Sequence, residues 1–355
     1  MKYSVSVDTL YINVKYPRKD VFDRWSRVIR GCNSRRLKDG VAEGDFVVRG
    51  GSAGYKVSVW SHDIRAFLTD EVDELRGEGQ GMGIWSQIGP KYLLDHRLGK
   101  ELREAVRKFL SDIGVKGDWP IRITRIDIAL DLFGLELADE DIEKWRYGWV
   151  GRAGLSSIYF NSQSRQIETI NIGSRKSAVY LRIYDKVAQA EAEGDIEYWR
   201  DVWNGYSGPV ARVEWEVKPN KGGFEEFEDF DNLCELQIVK LLNYLVEWGR
   251  ACIPDLDDSN NRRWKVSEFW NRVLSAAEDW ADGITWPTSR KGKEFKGISE
   301  GYLRGVAGTV SGAMARLNTE KPSLFQMLTH LEEHGLGLEK IQRDAEKKAE
   351  IISRL

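Results

Sequence analysis

The chain has 355 residues and a formal net charge of −3, with 53 Lys and Arg against 56 Asp and Glu. That balance excludes the strongly basic surface that drives sequence-independent binding to nucleic acid, so any DNA contact must be local. Cys32, Cys234 and Cys252 lack metal spacing and suggest no disulfide framework, which points to a reducing compartment; with no charged-then-apolar leader and no apolar run of membrane length, the expected location is the cytoplasm.

In chain order, residues 3–15 read as a strand, 20–30 as a helix, 44–60 as a hairpin, and 63–75 and 98–113 as helices. The basic run 27–38 is a candidate DNA contact, as is 289–296, and each reads equally as a solvated surface. The glycine-rich stretches 49–54 and 77–83 follow no dinucleotide spacing, and no P-loop occurs in the chain, so they read as hairpin and loop positions. Of the fourteen tryptophans, several are candidates to stack on splayed bases, while most belong to the core or cover a sheet.

The next strand begins near residue 121. Over 124–133 a period of two puts Arg125, Asp127, Ala129 and Asp131 on one face and Ile126, Ile128, Leu130 and Leu132 on the other. A helix follows at 139–145, then strands at 156–160 and 169–172. The loop 173–177, with Arg175 and Lys176, reads as a phosphate cradle or as a solvated hairpin turn. In 178–186, Ala178, Tyr180, Arg182, Tyr184 and Lys186 share a face opposite Val179, Leu181 and Ile183. A helix is expected over 187–203. In 211–218, Arg212, Glu214, Glu216 and Lys218 oppose Val213, Trp215 and Val217.

If these three strands share a sheet, four carboxylates, two tyrosines and several cations gather on one face. Hard divalent cations take oxygen ligands, so such a cluster suits magnesium or manganese and leaves coordination positions for phosphate oxygens. Asp127 and Glu214, the first acidic residue of each strand, are the preferred ligands; Asp131 and Glu216 are the next candidates, or else partners of Arg125 and Arg212. Arg125 and Arg212 are further candidate DNA contacts beside Arg175 and Lys176. His62, His96, His330 and His334 contain no histidine-hydrophobe-histidine pair, and His330 with His334 reads as a helix end, so only oxygen ligands are expected.

The succession of 124–131, 171–186 and 211–218 resembles the rolling-circle replication initiators of the trans-acting plasmid and filamentous phage type, a family related to the relaxases of conjugative elements. The resemblance covers residues 120–220 and implies an α+β catalytic fold, a mostly antiparallel sheet backed by helices. It also implies origin-specific nicking of one DNA strand, with a tyrosine joined to the 5′-phosphate and a metal held by acidic residues. The nucleophile it implies is Tyr184, with Tyr180 as the rival. A phenol titrates near 10, so an attacking tyrosine needs cations or a metal to favour its phenolate, and Arg182 and Lys186 flank Tyr184 on its face.

Helical patterns then run at 231–250, 266–280, 298–317, 322–334 and 336–354. The expected division is a catalytic domain over 1–222 and an all-helical region over 223–355 that could read origin DNA, form a homodimer or contact a helicase. A conjugative relaxase shares the same chemistry. Two alternatives from other classes remain at this stage, a metal nuclease in which water attacks and a non-catalytic DNA-binding protein.

Overall fold

Aliphatic residues at every second position build strands on both sides of a short helical stretch. In the computed structural model, the described residues are 2–15, 19–70, 83–137, 142–160, 166–255 and 257–281. The first half comprises β1 (Tyr3–Val14), α1 (Lys19–Val28), α2 (Ser34–Asp39), β2 (Val41–Glu43), β3 (Phe46–Gly50), β4 (Val57–Ser61), β5 (Ile64–Leu68), β6 (Ile84–Ile88), α3 (Pro90–Asp95) and α4 (Lys100–Ile113). The second comprises β7 (Ile121–Phe133), α5 (Ile142–Gly148), β8 (Trp149–Gly151), β9 (Leu155–Phe160), β10 (Ile167–Ile172), β11 (Val179–Asp185), α6 (Lys186–Glu193), α7 (Ile196–Val202), β12 (Val210–Val217), α8 (Glu235–Val246), β13 (Gly249–Ala251) and α9 (Glu268–Trp280).

Among the described residues, eleven strands form one sheet in the order β2-β3-β4-β5-β6-β1-β7-β12-β11-β10-β9, every neighbouring pair antiparallel. The three strands with alternating charge are therefore adjacent, β7 and β11 flanking β12. One face is aliphatic, with Ile12, Ile128, Val213 and Leu181 fully buried. It meets a helix layer through Trp25 of α1, Val106 of α4, Leu241 of α8 and Trp270 of α9. Each such side chain contributes about 1.5–3 kcal/mol by leaving water. The two buried indoles keep a hydrogen-bond partner, Trp25 donating to the Ile113 carbonyl at 2.8 Å and Trp270 to that of Val246 at 3.3 Å. The fold is thus α+β, a large antiparallel sheet backed by helices. On the opposite face, among the described residues, α6 and α7 cover one end through Phe133, Trp199 and Trp203, while Tyr11, Arg65, Trp85 and Arg125 stay partly exposed.

Several elements differ from expectation. The stretch expected as a helix from residue 63 is β5: Ile64, Ala66 and Leu68 are buried on the core side, and Phe67 pairs with Ser58 and Trp85 on the other. A two-residue connection makes the β4–β5 hairpin, with His62 at φ +51 supplying the left-handed turn. The helix expected over 187–203 is two helices, because Gly194 at φ +75 terminates α6 and its amide donates to the carbonyls of Ala190 and Glu191. The region after 222 adds α8 and α9 to the same core as the sheet. It is not purely helical, since β13 pairs with β8. The chain divides into Met1–Trp286 and Pro287–Leu355; the second unit, with the helices expected over 298–354, His330, His334 and the basic run 289–296, lies outside the described residues. No helix among the described residues is long and apolar enough to cross a membrane.

Candidate active site

The register across β12 sets the chemistry of the open face. On one side Arg182 faces Glu214, Tyr184 faces Arg212 and Tyr180 faces Glu216. On the other, Asp131 faces Arg212 and Asp127 faces Glu216. Directly opposed residues share a face, so Glu214, Glu216 and Asp131 each meet a cation or a phenol from the next strand, whereas Asp127 lies opposite Glu216 and takes its cation, Arg125, from its own strand. Ala129, opposite Glu214, is the small member of this face and leaves room between Asp127 and Asp131.

The four carboxylates, each 3% exposed or less, are satisfied in different ways. Glu214 accepts the Tyr184 hydroxyl at 2.7 Å on Oε2 and pairs with Arg182 through Oε1. Asp127 takes both arms of Arg125, from Nε at 2.7 Å and Nη2 at 2.6 Å. Glu216 is held by Arg125 at 3.0 Å and by Lys218 at 2.6 Å. Asp131 accepts Arg212 Nε at 2.6 Å, Arg212 Nη2 at 2.8 Å and the Trp203 indole at 2.9 Å.

A cavity of about 1040 Å³ opens over this network and is lined by Asp127, Glu214, Tyr184, Arg182, Arg125 and Lys186. Arg175 also reaches it, from the loop before β11, whereas Lys176, Tyr180, Asp131, Glu216 and Arg212 do not line it. Tyr180 is buried, with Arg175 over its ring at 5.5 Å. Arg212, expected as a DNA contact, is fully buried beneath the cavity floor, where it ties Asp131 to Asp8, so that role is corrected to a structural one. The basic run 27–38 spans α1 and α2 and does not line the cavity, since α1 packs on the aliphatic face.

A second correction concerns the phenol. Lys186 does not flank Tyr184; its ammonium donates to Gln189 at 2.5 Å and lies 4.0 Å from the Trp199 ring centre. Burial and the Glu214 charge push Tyr184 well above its ordinary range, and Arg212 acts the other way without prevailing. Arg212 therefore does not offset burial and the Glu214 charge, and the phenol donates to a carboxylate. Burial, with the charges of Glu214 and Glu216, lifts Asp127 to about 7 against the pull of Arg125. Burial and the neighbouring Arg212 lower Lys186 to about 8.

Among the described residues no ready-made group of three His, Cys, Asp or Glu ligands occurs. Asp127 and Glu214 nevertheless suit a divalent cation, because both line the cavity and their mutual repulsion helps raise Asp127, a strain that a cation between them relieves. Two carboxylates plus substrate oxygens is an ordinary donor set for magnesium. All four carboxylates hold a cation of the protein, and Asp131 and Glu216 differ in lying outside the cavity lining, which makes them the less suited pair.

Asp8 is the site residue that alternation alone does not reveal. The pairing of β1 with β7 slips between Val7 and Thr9, a bulge that leaves Asp8 without a register partner and brings both Asp8 and Thr9 to the cavity. The far wall carries Arg65 of β5, Gln87 of β6 and Lys91 of α3. In the sequence, the only trace of Asp8 is a lone acid inside an otherwise uncharged strand.

No protein-family model matches the chain, and neither does any curated protein. Among solved structures, it is similar to a rolling circle replication initiator protein from Geobacillus stearothermophilus, at 16% sequence identity and a TM-score of 0.49, the likeness covering 81% of this chain and 99% of that one.

Proposed function

We propose that this protein is a rolling-circle replication initiator that nicks one DNA strand and transfers it through a covalent 5′-phosphotyrosine on Tyr184. The observation that carries the reading is the 2.7 Å hydrogen bond from the Tyr184 hydroxyl to Glu214, made inside a cavity lined by Arg125, Arg175 and Arg182. Those guanidinium groups neutralise and orient a phosphodiester. Glu214 takes the phenol proton as the tyrosine oxygen attacks phosphorus, which overcomes the raised ionisation of that phenol. The bond from phosphorus to the 3′-oxygen breaks as the tyrosyl bond forms, and the leaving oxygen gains a proton from Lys186, whose lowered affinity for that proton makes it a ready donor. The phosphotyrosine ester keeps the energy of the bond it replaced, so attack by a 3′-hydroxyl reseals or transfers the strand. A magnesium or manganese ion held by Asp127 and Glu214 would supply charge neutralisation at the scissile phosphate.

The substrate in this reading is single-stranded origin DNA. A relaxase of a conjugative or mobilisable element would use the same residues, and reading of origin DNA, contact with a helicase or pairing with a second copy would fall to the region 223–355. The test is incubation with manganese and labelled single-stranded DNA carrying candidate origin sequences, followed by a denaturing gel and peptide mass spectrometry. An adduct on Tyr184 that is lost in Tyr184→Phe supports the reading. Cleavage without an adduct replaces it with a nuclease in which water attacks. An adduct on Tyr180 would move the nucleophile.

A further inference from the structure

The open face does not end at the cavity. Trp60, Arg65, Gln87, Tyr11 and Arg125 are directly opposed across β4, β5, β6, β1 and β7, so their side chains share the face that carries Asp127. A parallel row places Arg49, Ser58, Phe67 and Trp85 beside them.

This half of the face is built of stacked rings and guanidinium groups. The guanidinium carbons of Arg49 and Arg65 lie 4.6 Å and 4.5 Å from the Trp60 ring centre. Trp85 stacks on Tyr11 at 5.2 Å with 22° between the planes, and Arg125 lies over Tyr11 at 4.8 Å. Around the cavity, by contrast, the buried carboxylates each hold a cation. Among the described residues, Arg49 and Arg65 form no salt bridge; the charge of Asp63 acts on Arg65 without one, and Arg65 donates to the neutral Gln87 at 2.9 Å. Trp60, Trp85, Tyr11, Arg49 and Arg65 all retain partial exposure. A sheet face that interleaves aromatic rings with arginines outside any salt bridge matches a polyanion with exposed bases, since bases stack on rings and on guanidinium planes while phosphates take the charge. A duplex, whose bases are already stacked, would leave the rings unused.

We infer that the face from β4 to β1 is a platform for single-stranded DNA, with bases stacking on Trp60 and Trp85 and phosphates meeting Arg49 and Arg65, and that it leads the strand to Tyr184. Tyr11, Arg65, Gln87 and Arg125 line both this face and the cavity, which makes the path continuous. From β4 to β11 there are six strand steps of about 4.8 Å, or roughly 29 Å, enough for a short run of nucleotides. The inference rests on the nicking reading only for the destination of the strand.

The test measures anisotropy of a fluorescent oligothymidylate with the full chain in excess EDTA, across a salt series. Trp60→Ala is expected to weaken binding about 5- to 150-fold, the span of one lost base stack. Trp60→Phe should recover most of it. Arg65→Gln should flatten the slope of log affinity against log salt by about 0.7 for one lost phosphate contact. Near-ultraviolet circular dichroism identifies any misfolded variant, and Arg65→Gln, a change at a partly exposed side chain, keeps the test decisive if Trp60→Ala misfolds. Unchanged affinity and slope in Trp60→Ala and Arg65→Gln overturn the platform. So does tighter binding to duplex than to single strand, with Trp60→Ala neutral. Weakened binding in these variants without any covalent adduct from the unmodified chain would sink the nicking reading and leave the platform standing; an adduct with unchanged binding would do the reverse.

Discussion

Tyr184 and Glu214 sit on adjacent strands, not opposite one another but one step apart on the same face, and the phenol donates to the carboxylate at 2.7 Å. This relationship makes the tyrosine harder to ionise by itself and at the same time gives its proton an acceptor within reach. Arg182, opposite Glu214, holds the other carboxylate oxygen and so fixes which oxygen faces the phenol. In the proposed reaction, a phenol held in this way would stay protonated until a bound phosphodiester changes the field around Glu214.

Replacing Tyr184 by Phe should abolish the covalent DNA adduct while costing only about 1 kcal/mol of stability, because Glu214 keeps Arg182 when the phenol is lost. Tyr180→Phe, a change at a buried ring outside the cavity, should keep the adduct. Gel mobility of the protein–DNA species together with thermal melts checks both. An adduct that survives Tyr184→Phe and disappears in Tyr180→Phe would reverse the assignment.

The carboxylates should sort by their response to metal. Manganese at a hundredfold excess over its dissociation constant stabilises a folded protein by about 2.7 kcal/mol. That rise in melting temperature should vanish in Asp127→Asn and Glu214→Gln. It should persist, from a lower starting point, in Asp131→Asn and Glu216→Gln, whose carboxylates lie outside the cavity lining. Equal loss of the metal response in all four variants would contradict this division.

Much of the site was legible as alternation. The period of two in 124–133, 178–186 and 211–218 placed Asp127, Glu214, Arg182 and Tyr184 on one face, and the structure makes their strands neighbours. What alternation could not carry was long-range pairing. Nothing local says that β1 lies between β6 and β7, or that a bulge turns Asp8 toward Arg212. The same limit hid β5, whose Ile64, Ala66 and Leu68 are core residues only because β4 and β6 lie on either side. Lys186 failed for a different reason: it is the first residue of α6, where the strand period stops applying, so its side chain swings to Trp199 instead of Tyr184.

Arg212 should be a stability residue. It is fully buried, with Asp131 and Asp8 as counter-ions and Trp199 at 4.4 Å from its guanidinium carbon. Removing it leaves two acids without their cation, so Arg212→Met should cost about 3–5 kcal/mol in urea unfolding. The double variant Arg212→Met with Asp131→Leu should cost clearly less than the sum of the two single changes, because it removes both the cation and its main partner. Additive costs would mean that the two residues do not share a network.

Lys186 gives the pH dependence. Burial and Arg212 lower its folded pKa to about 8 from an ordinary value of 10.5. Below 8 both folded and unfolded chains hold the proton, and the folded state carries the full cost of a poorly solvated charge. Between 8 and 10.5 the unfolded chain binds more protons than the folded one, so the contribution of this lysine to stability rises with pH across that window. The stability of the unmodified protein minus that of Lys186→Met should therefore climb from pH 8 to pH 10, and a flat difference would show that the lysine holds no perturbed proton. The same shift acts on chemistry. In the proposed reaction, Lys186 would have to be protonated to give its proton to the leaving 3′-oxygen and deprotonated to accept one from the 3′-hydroxyl that reseals. Single-turnover nicking should fall as pH passes about 8 while resealing rises, and both trends should flatten in Lys186→Met.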